Sequence, residues 1–339
     1  MADRCFNHSV AAHVKGVPQA RGARRLLSVL LSGLLAAGVP AVTVLAVLGL
    51  PVVPGLHGPR AAAMVLPAAP SPPALAGTSV EAGPEVNAKG AELADMTTGH
   101  TMWTFSPNAK RPMGSITKVM TALIVIEAGH LNRKLTVTRA VIRYVRKDWA
   151  SSAGLIRGDV LTVRQLLEAM LLPSGCDAAY MLATAYGPGR PAFIKKMNAM
   201  AAKIGMTRTH FTSFDGMPYP TEHSTYSTPH DLVLLGEQAM KLPLFRKIVA
   251  QQQYKVRRTR LHHSYVWGTT NHLVGSYRGA LGIKTGDTKA AGNCLLFAAR
   301  RDGHTLVGVV LHANPSDNFD ATFGAARRIL NWGFASLSH

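Results

Sequence analysis

Cysteine is scarce: Cys5, Cys176 and Cys294 are the only three in 339 residues, and they form neither a CxxC pair nor an even framework. Neither a zinc site nor a disulfide scaffold is indicated. The fourteen histidines contain no HExxH, and the neighbouring His262 and His263 read as part of an exposed basic hairpin rather than as metal ligands. Aromatic residues make up only 6% of the chain against 47% hydrophobic overall, which suits an alanine-rich globular protein and not a disordered one. Acidic residues are also few, 18 against 37 Lys and Arg, for a net charge of +19. Such an exterior favours polyanions, but charge alone does not choose between nucleic acid, anionic lipid and cell-wall polymer.

What the chain does have, near its start, is a long stretch without charge. Arg4, Lys15, Arg21, Arg24 and Arg25 precede "LLSVLLSGLLAAGVPAVTVLAVLGLPVV" at 26–53. This run exceeds the roughly 7–15 residues of an ordinary signal core and is long enough to cross a bilayer. The basic residues of 1–25 place that end in the cytoplasm and everything after the run on the outer side. Pro40, Pro51 and Pro54 argue against a buried core helix. "ALA" at 74–76 has the small-x-small form of a cleavage site but lies far beyond the run. An uncleaved anchor at 26–53 is therefore expected, with a cleaved signal as the alternative. Residues 54–87, rich in Pro and Ala, read as a linker, and compact structure is expected over 88–335.

Within that span the patterns mix strands and helices. "GAELADMTTGHTMWTF" predicts two strands about a turn, and a helix follows from Ser115 to a stop at Gly129. Thr162 and Gln165 stand at capping-box spacing before "VRQLLEAMLL". "DAAYMLATAYG" and "AFIKKMNAMAAKIG" are further helices ending at glycine. "GALGIKT", "NCLLFAAR" and "HTLVGVVLHA" are strand-like, with Asp302–Gly303 as a hairpin turn, and a last helix is expected over about 318–332. Strands at both ends with helices between predict one α+β domain whose sheet is joined from both termini.

Three places carry candidate chemistry. In "PMGSITKVMTALIVI" Ser115 and Lys118 stand three apart, on one face of a helix whose remaining positions are nearly all apolar. A lysine there is costly unless it has a partner or a task. A serine hydroxyl attacks poorly unless a neighbour takes its proton, and the helix N-terminus offers backbone N–H groups to a developing anion. Alone, the pair would read as an N-cap serine and a snorkelling lysine. Ser174, in "LLPSGCDAAY", falls in a sharp break between two helices. "GIKTGDTKAAG" ends a strand with Lys284 and Gly286 on one face. That glycine would let another extended backbone lie along the strand edge, Lys284 would supply a cation, and Thr285 a hydroxyl for a carboxylate.

In this order the three sites resemble those of the serine penicillin-recognising enzymes. The nearer match is to the low-molecular-mass penicillin-binding proteins, D-alanyl-D-alanine carboxypeptidases and their transpeptidase relatives. The similarity runs from about Glu85 to Phe334 and includes "GSITKVMTAL", "THFTSFDGM" and "TTNHLVGSYRGALGIKTG". It implies a β-lactamase/DD-peptidase-like α+β fold, an antiparallel sheet beside a helical subdomain with the active site at their junction. It further implies Ser115 as nucleophile, Lys118 as its base and Ser174 as proton relay. Substrate would be held by Cys176, Lys284, Thr285 and Gly286, with the backbone N–H groups of Ser115 and Asp287 as oxyanion hole. The implied substrate is a peptidoglycan stem peptide ending in D-Ala-D-Ala, with β-lactams as covalent inhibitors and no metal or cofactor.

Two positions depart from the family pattern. Cys176 stands where asparagine is usual, and a thiol offers only weak versions of the amide's hydrogen bonds; slower acylation and a shift toward peptide transfer are expected. His230 stands where arginine is usual, so any help in binding anionic substrate would fade as pH rises. A class A β-lactamase would need a deacylating glutamate, and none of Asp177, Asp215, Glu222, Asp231 and Glu237 sits in an E-x-x-x-N context. A different class of reading makes the chain a tethered wall- or polyanion-binding module. It would use Lys255, Arg257, Arg258 and Arg260 with Tyr254 and Tyr265 on a hairpin face. Outside the cytoplasm its targets would be wall polymers or anionic lipid rather than nucleic acid.

Overall fold

The computed structural model describes residues 83–147, 150–313 and 319–338. The basic segment 1–25, the apolar run 26–53 and most of the linker 54–87 lie outside the described residues. The expected first hairpin is present as β1 (Gly90–Asp95) and β2 (His100–Phe105). Strands β3 (Lys134–Thr136) and β4 (Val160–Thr162) form one small ribbon, and β5 (Gln253–Val256) and β6 (Tyr265–Gly268) another. β7 (Ala280–Gly286), β8 (Cys294–Arg301) and β9 (His304–Leu311) complete the main sheet, antiparallel in the order β2-β1-β9-β8-β7. β9 lies beside β1, with Leu311 opposite Gly90, so the two ends of the domain meet in the sheet as expected. Asp302 and Gly303 have φ of 48° and 86°, the positive values a two-residue hairpin requires.

Both faces of this sheet are covered. Leu295, Phe297 and Ala299 pack toward α8 (Asp320–Ser336), against Phe323, Ile329 and Leu330. Leu296 and Ala298, on the opposite face, join the core formed with the other helices. β8 therefore reads as an unbroken apolar run rather than an alternating one. α8 continues four residues past the expected end at 332.

The helical part comprises α1 (Thr117–Ala128), α2 (Arg139–Lys147), α3 (Val163–Leu171), α4 (Cys176–Tyr186), α5 (Arg190–Lys203), α6 (Pro229–Met240) and α7 (Pro243–Val249). α1 is its axis. Residues Thr117 to Val125 are all buried, and α3, α4, α5, α6 and α7 pack around them. Gly129, at φ 73°, ends the helix. The capping box on α3 is formed: Gln165 N donates to Thr162 Oγ1 at 3.2 Å and Thr162 N to Gln165 Oε1 at 2.8 Å. One expectation changes in detail. Ser115 is not the first residue of α1 but the middle of a 3-10 turn, Gly114–Ile116, that feeds it. Among the described residues no helix is long and apolar enough to cross a membrane.

Candidate active site

The turn before α1 is fixed by three close backbone approaches. A Cβ on Gly216 would stand 2.0 Å from the Gly114 carbonyl oxygen. One on Gly286 would stand 2.2 Å from that of Met113, and one on Gly114 2.6 Å from Asp287 N. Gly114 and Gly216 also hold positive φ, 52° and 90°. The serine turn is thus wedged between the 213–217 loop and the end of β7. On the face of Gly286 the room is thus filled by Met113, while the outer edge of β7, where a ligand backbone is expected to lie, pairs with no further strand among the described residues.

From this turn Ser115, half-buried, meets Lys118, fully buried. Lys118 Nζ donates to Ser115 Oγ at 2.6 Å and to the Asp215 carbonyl at 2.9 Å. These partners answer the cost of an amine in the core. Asp215 is itself held: its carboxylate accepts from Ser213 Oγ at 2.7 Å, Tyr144 OH at 2.8 Å and Met217 N at 3.1 Å.

Ser174 sits in the expected break between α3 and α4, at φ 66°, a strained conformation for a serine. Ser151 Oγ donates to the Ser174 carbonyl at 2.6 Å, and Cys176 N to the Ser151 carbonyl at 2.8 Å. Asp177 holds the same loop through Ser152 Oγ, Ala153 N and Leu155 N. Cys176 opens α4 but turns inward. It is fully buried, with Sγ 3.3 Å from Ser151 Oγ. Burial above all, then the Asp215 charge, push its thiol up to about 12, so it stays protonated. The expected contact of Cys176 with substrate is therefore replaced by a position beneath the serine loop.

Lys284 is not an exposed edge lysine although β7 is an edge strand; its side chain is 1% exposed. Nζ donates to the Thr285 carbonyl at 3.2 Å and to Thr285 Oγ1 at 3.3 Å, and Thr285 Oγ1 lies 2.6 Å from Thr270 Oγ1. Burial, and next the charge of Lys118, hold Lys284 well below the usual amine range.

Ser115, Ser174, Thr285 and Asp287 all line one open cleft of about 670 Å³ between the sheet and the helical part, together with Ser151 and Thr270. Asp215, Ser151 and Thr270 escaped the sequence reading. "FDGM" and "TTNH" marked the neighbourhood of two of them, whereas nothing local marks Ser151. His230 does not line the cleft: its Nδ1 stands 3.0 Å from Glu92 Oε1 on β1. The expected help with anionic substrate is corrected to a pairing with this buried carboxylate. His263 likewise pairs with Asp159, at 2.9 Å, and His262 is buried rather than exposed.

A hydroxyl touching a buried amine, a second buried amine and a hydroxyl across one cleft define a serine acyl-transfer site. The comparisons agree. The D-alanyl-D-alanine carboxypeptidase family matches residues 77–315, and the chain belongs to that family. It is 41% identical over 266 residues to the D-alanyl-D-alanine carboxypeptidase of Streptomyces sp. strain K15, covering 74% of this chain and 89% of that one. A D-alanyl-D-alanine carboxypeptidase of Mycobacterium tuberculosis is 33% identical over 245 residues, covering 72% and 81%. The crystal structure of the Streptomyces K15 DD-transpeptidase superposes with a TM-score of 0.71 at 41% identity, over 75% of this chain and 99% of that one.

Proposed function

We propose that the cleft cleaves the terminal D-Ala-D-Ala bond of peptidoglycan stem peptides, by hydrolysis or by transfer to a second peptide. The observation that carries this is the 2.6 Å contact between Ser115 Oγ and the buried Lys118 amine. A substrate carboxylate docks at Thr285. There it lies beside the buried Lys284 amine, which stands 3.3 Å from Thr285 Oγ1. Lys118 then takes the Ser115 proton as Oγ attacks the carbonyl carbon. The resulting oxyanion is met by the N–H groups of Ser115 and Asp287. Ser174 passes a proton to the departing D-Ala nitrogen, the C–N bond breaks, and an ester to Ser115 remains. Water or a peptide amine attacks that ester and frees the enzyme. β-Lactams acylate the same oxygen, and their ester persists: Glu222 lines the cleft, but neither it nor any other acidic residue between Cys176 and Lys284 stands in the E-x-x-x-N context of a β-lactamase's deacylating glutamate. Gly286 serves this site by letting the strand end close on the serine turn.

The apolar run 26–53 supports a tether that keeps the enzyme on the outer face of the cell membrane, near its substrate. The test is release of D-Ala from a peptide ending in D-Ala-D-Ala, with and without an added acceptor amine. Wild type is expected to release D-Ala and, with acceptor, to form the transfer product; Ser115→Ala is expected to do neither. Release by the alanine variant at the wild-type rate would refute the assignment.

A further inference from the structure

Five large apolar side chains stand exposed among the described residues, and three of them lie on two adjoining segments, 153–160 and 253–268: Ile156 at 42%, Leu261 at 46% and Val266 at 65%. Hydrogen bonds join their segments. Ile156 N donates to Tyr265 OH at 3.1 Å, under the ribbon face opposite Val266, and Val160 N donates to the Leu261 carbonyl at 2.8 Å. Val266 faces Lys255 across the β5–β6 ribbon, both pointing outward. Around them Arg157, Arg257, Arg258 and Arg260 are exposed, and among the described residues none of these five cations forms an ion pair. No Asp or Glu occurs between Glu237 and Asp287. Asp159, the carboxylate packed beneath, is taken up by Tyr265 OH and by His263 N and Nδ1. The aromatics of the ribbon turn inward: Trp267 Nε1 donates to the Ala153 carbonyl at 2.8 Å, and Tyr254 and Tyr265 stack on its ring. The apolar tips and cations thus stand on a firm base.

We propose that this face docks on an anionic lipid bilayer. A soluble polyanion would use the cations but gain nothing from Ile156, Leu261 and Val266. A bilayer interface takes both, the cations at the headgroups and the apolar tips at the acyl boundary. β6 runs directly into Thr269 and Thr270, which line the cleft, so docking holds the cleft close to the membrane surface. The proposal is independent of the reaction at Ser115.

The test uses residues 76–339, the span that holds every described strand and helix, once its thermal transition and its acylation by benzylpenicillin match those of the full chain. It is sedimented with vesicles of phosphatidylglycerol and phosphatidylcholine, with phosphatidylcholine vesicles alone, and titrated with soluble polyphosphate. Wild type is expected to bind the anionic vesicles, to release them as salt rises, and to ignore the neutral ones. The R257Q/R258Q/R260Q variant is expected to lose affinity on the order of 100-fold. The Ile156→Ser, Leu261→Ser, Val266→Ser variant is expected to bind vesicles at least about tenfold more weakly while binding polyphosphate as wild type does. Thermal transitions check that both variants are folded, and Leu261→Ser alone is the fallback if the triple variant is not. Failure of folded wild type to bind anionic vesicles would overturn the proposal. So would wild-type vesicle affinity in the serine variant, which would mark the face as a site for soluble polyanions instead.

Discussion

At the residue scale the account turns on what surrounds one hydroxyl. Lys118 contributes only because Asp215 and Ser115 satisfy its amine within a helix buried from Thr117 to Val125. Lys118→Ala is expected to slow acylation by labelled penicillin by about 10²–10⁴-fold, the usual worth of a positioned proton acceptor, with near-UV dichroism unchanged. Cys176 acts from below the cleft. Asparagine there must fit extra volume and an amide into a site with no exposure. Cys176→Asn is expected to cost about 1–3 kcal/mol of stability and to alter the ratio of hydrolysis to transfer. Unchanged unfolding free energy and unchanged partitioning in D-Ala release would contradict this. Ser115, Lys118, Ser174 and Lys284 were legible because their motifs are local. Asp215 lies 97 positions from Lys118 and contributes its backbone carbonyl, a group that every residue type carries, so no side-chain pattern announces it.

At the scale of elements, the serine turn is placed by neighbours that lack side chains. Gly216→Ala would drive a methyl into the Gly114 carbonyl at positive φ. It is expected to lower stability by about 1–3 kcal/mol and to slow penicillin acylation as the turn shifts; a melting temperature and acylation rate equal to wild type would count against the wedge. The periodicity of the sequence reveals helices and strands, but not that a glycine's missing Cβ makes room for another backbone, which is why Gly286 reads differently in the sequence and in the fold. The α3–α7 contact carries a pH dependence. Burial pushes Glu168 from the ordinary 4.5 up to about 7, while Gln251 Nε2 donates to it at 2.8 Å. The folded chain therefore keeps a proton that the unfolded chain releases. Its stabilising contribution is full below about pH 4.5 and is lost as pH rises through about 7, a change of about 3 kcal/mol. Glu168→Gln is expected to remove that slope and to be the more stable protein above pH 7. Parallel denaturation midpoints for the two proteins from pH 5 to pH 8 would contradict it.

At the scale of the whole molecule, the sheet ties the chain's two ends together, and the helices between β2 and β7 fill one side of it. This was legible because the strand runs cluster at both ends of the domain and the helical ones between. The division of the sheet's two faces between α8 and the helical part was not, since β8 is apolar at every buried position and carries no alternation to read. The cleft lies where sheet and helices meet, so every residue lining it belongs to the folded domain. Residues 76–339 are accordingly expected to react with penicillin at the full chain's rate. The full chain is expected to stay with membranes through a high-salt wash that removes the shorter one. Release of both by salt would show that residues 26–53 do not anchor the protein.

Ser115 is expected to owe its reactivity toward acyl groups to the buried Lys118 amine at 2.6 Å. Intact-mass and peptide mass spectrometry after incubation with benzylpenicillin tests it most directly. The account predicts one long-lived penicilloyl adduct per chain, on Ser115 and absent from Ser115→Ala. Folded protein that gains no adduct, or gains it on another residue, would contradict it.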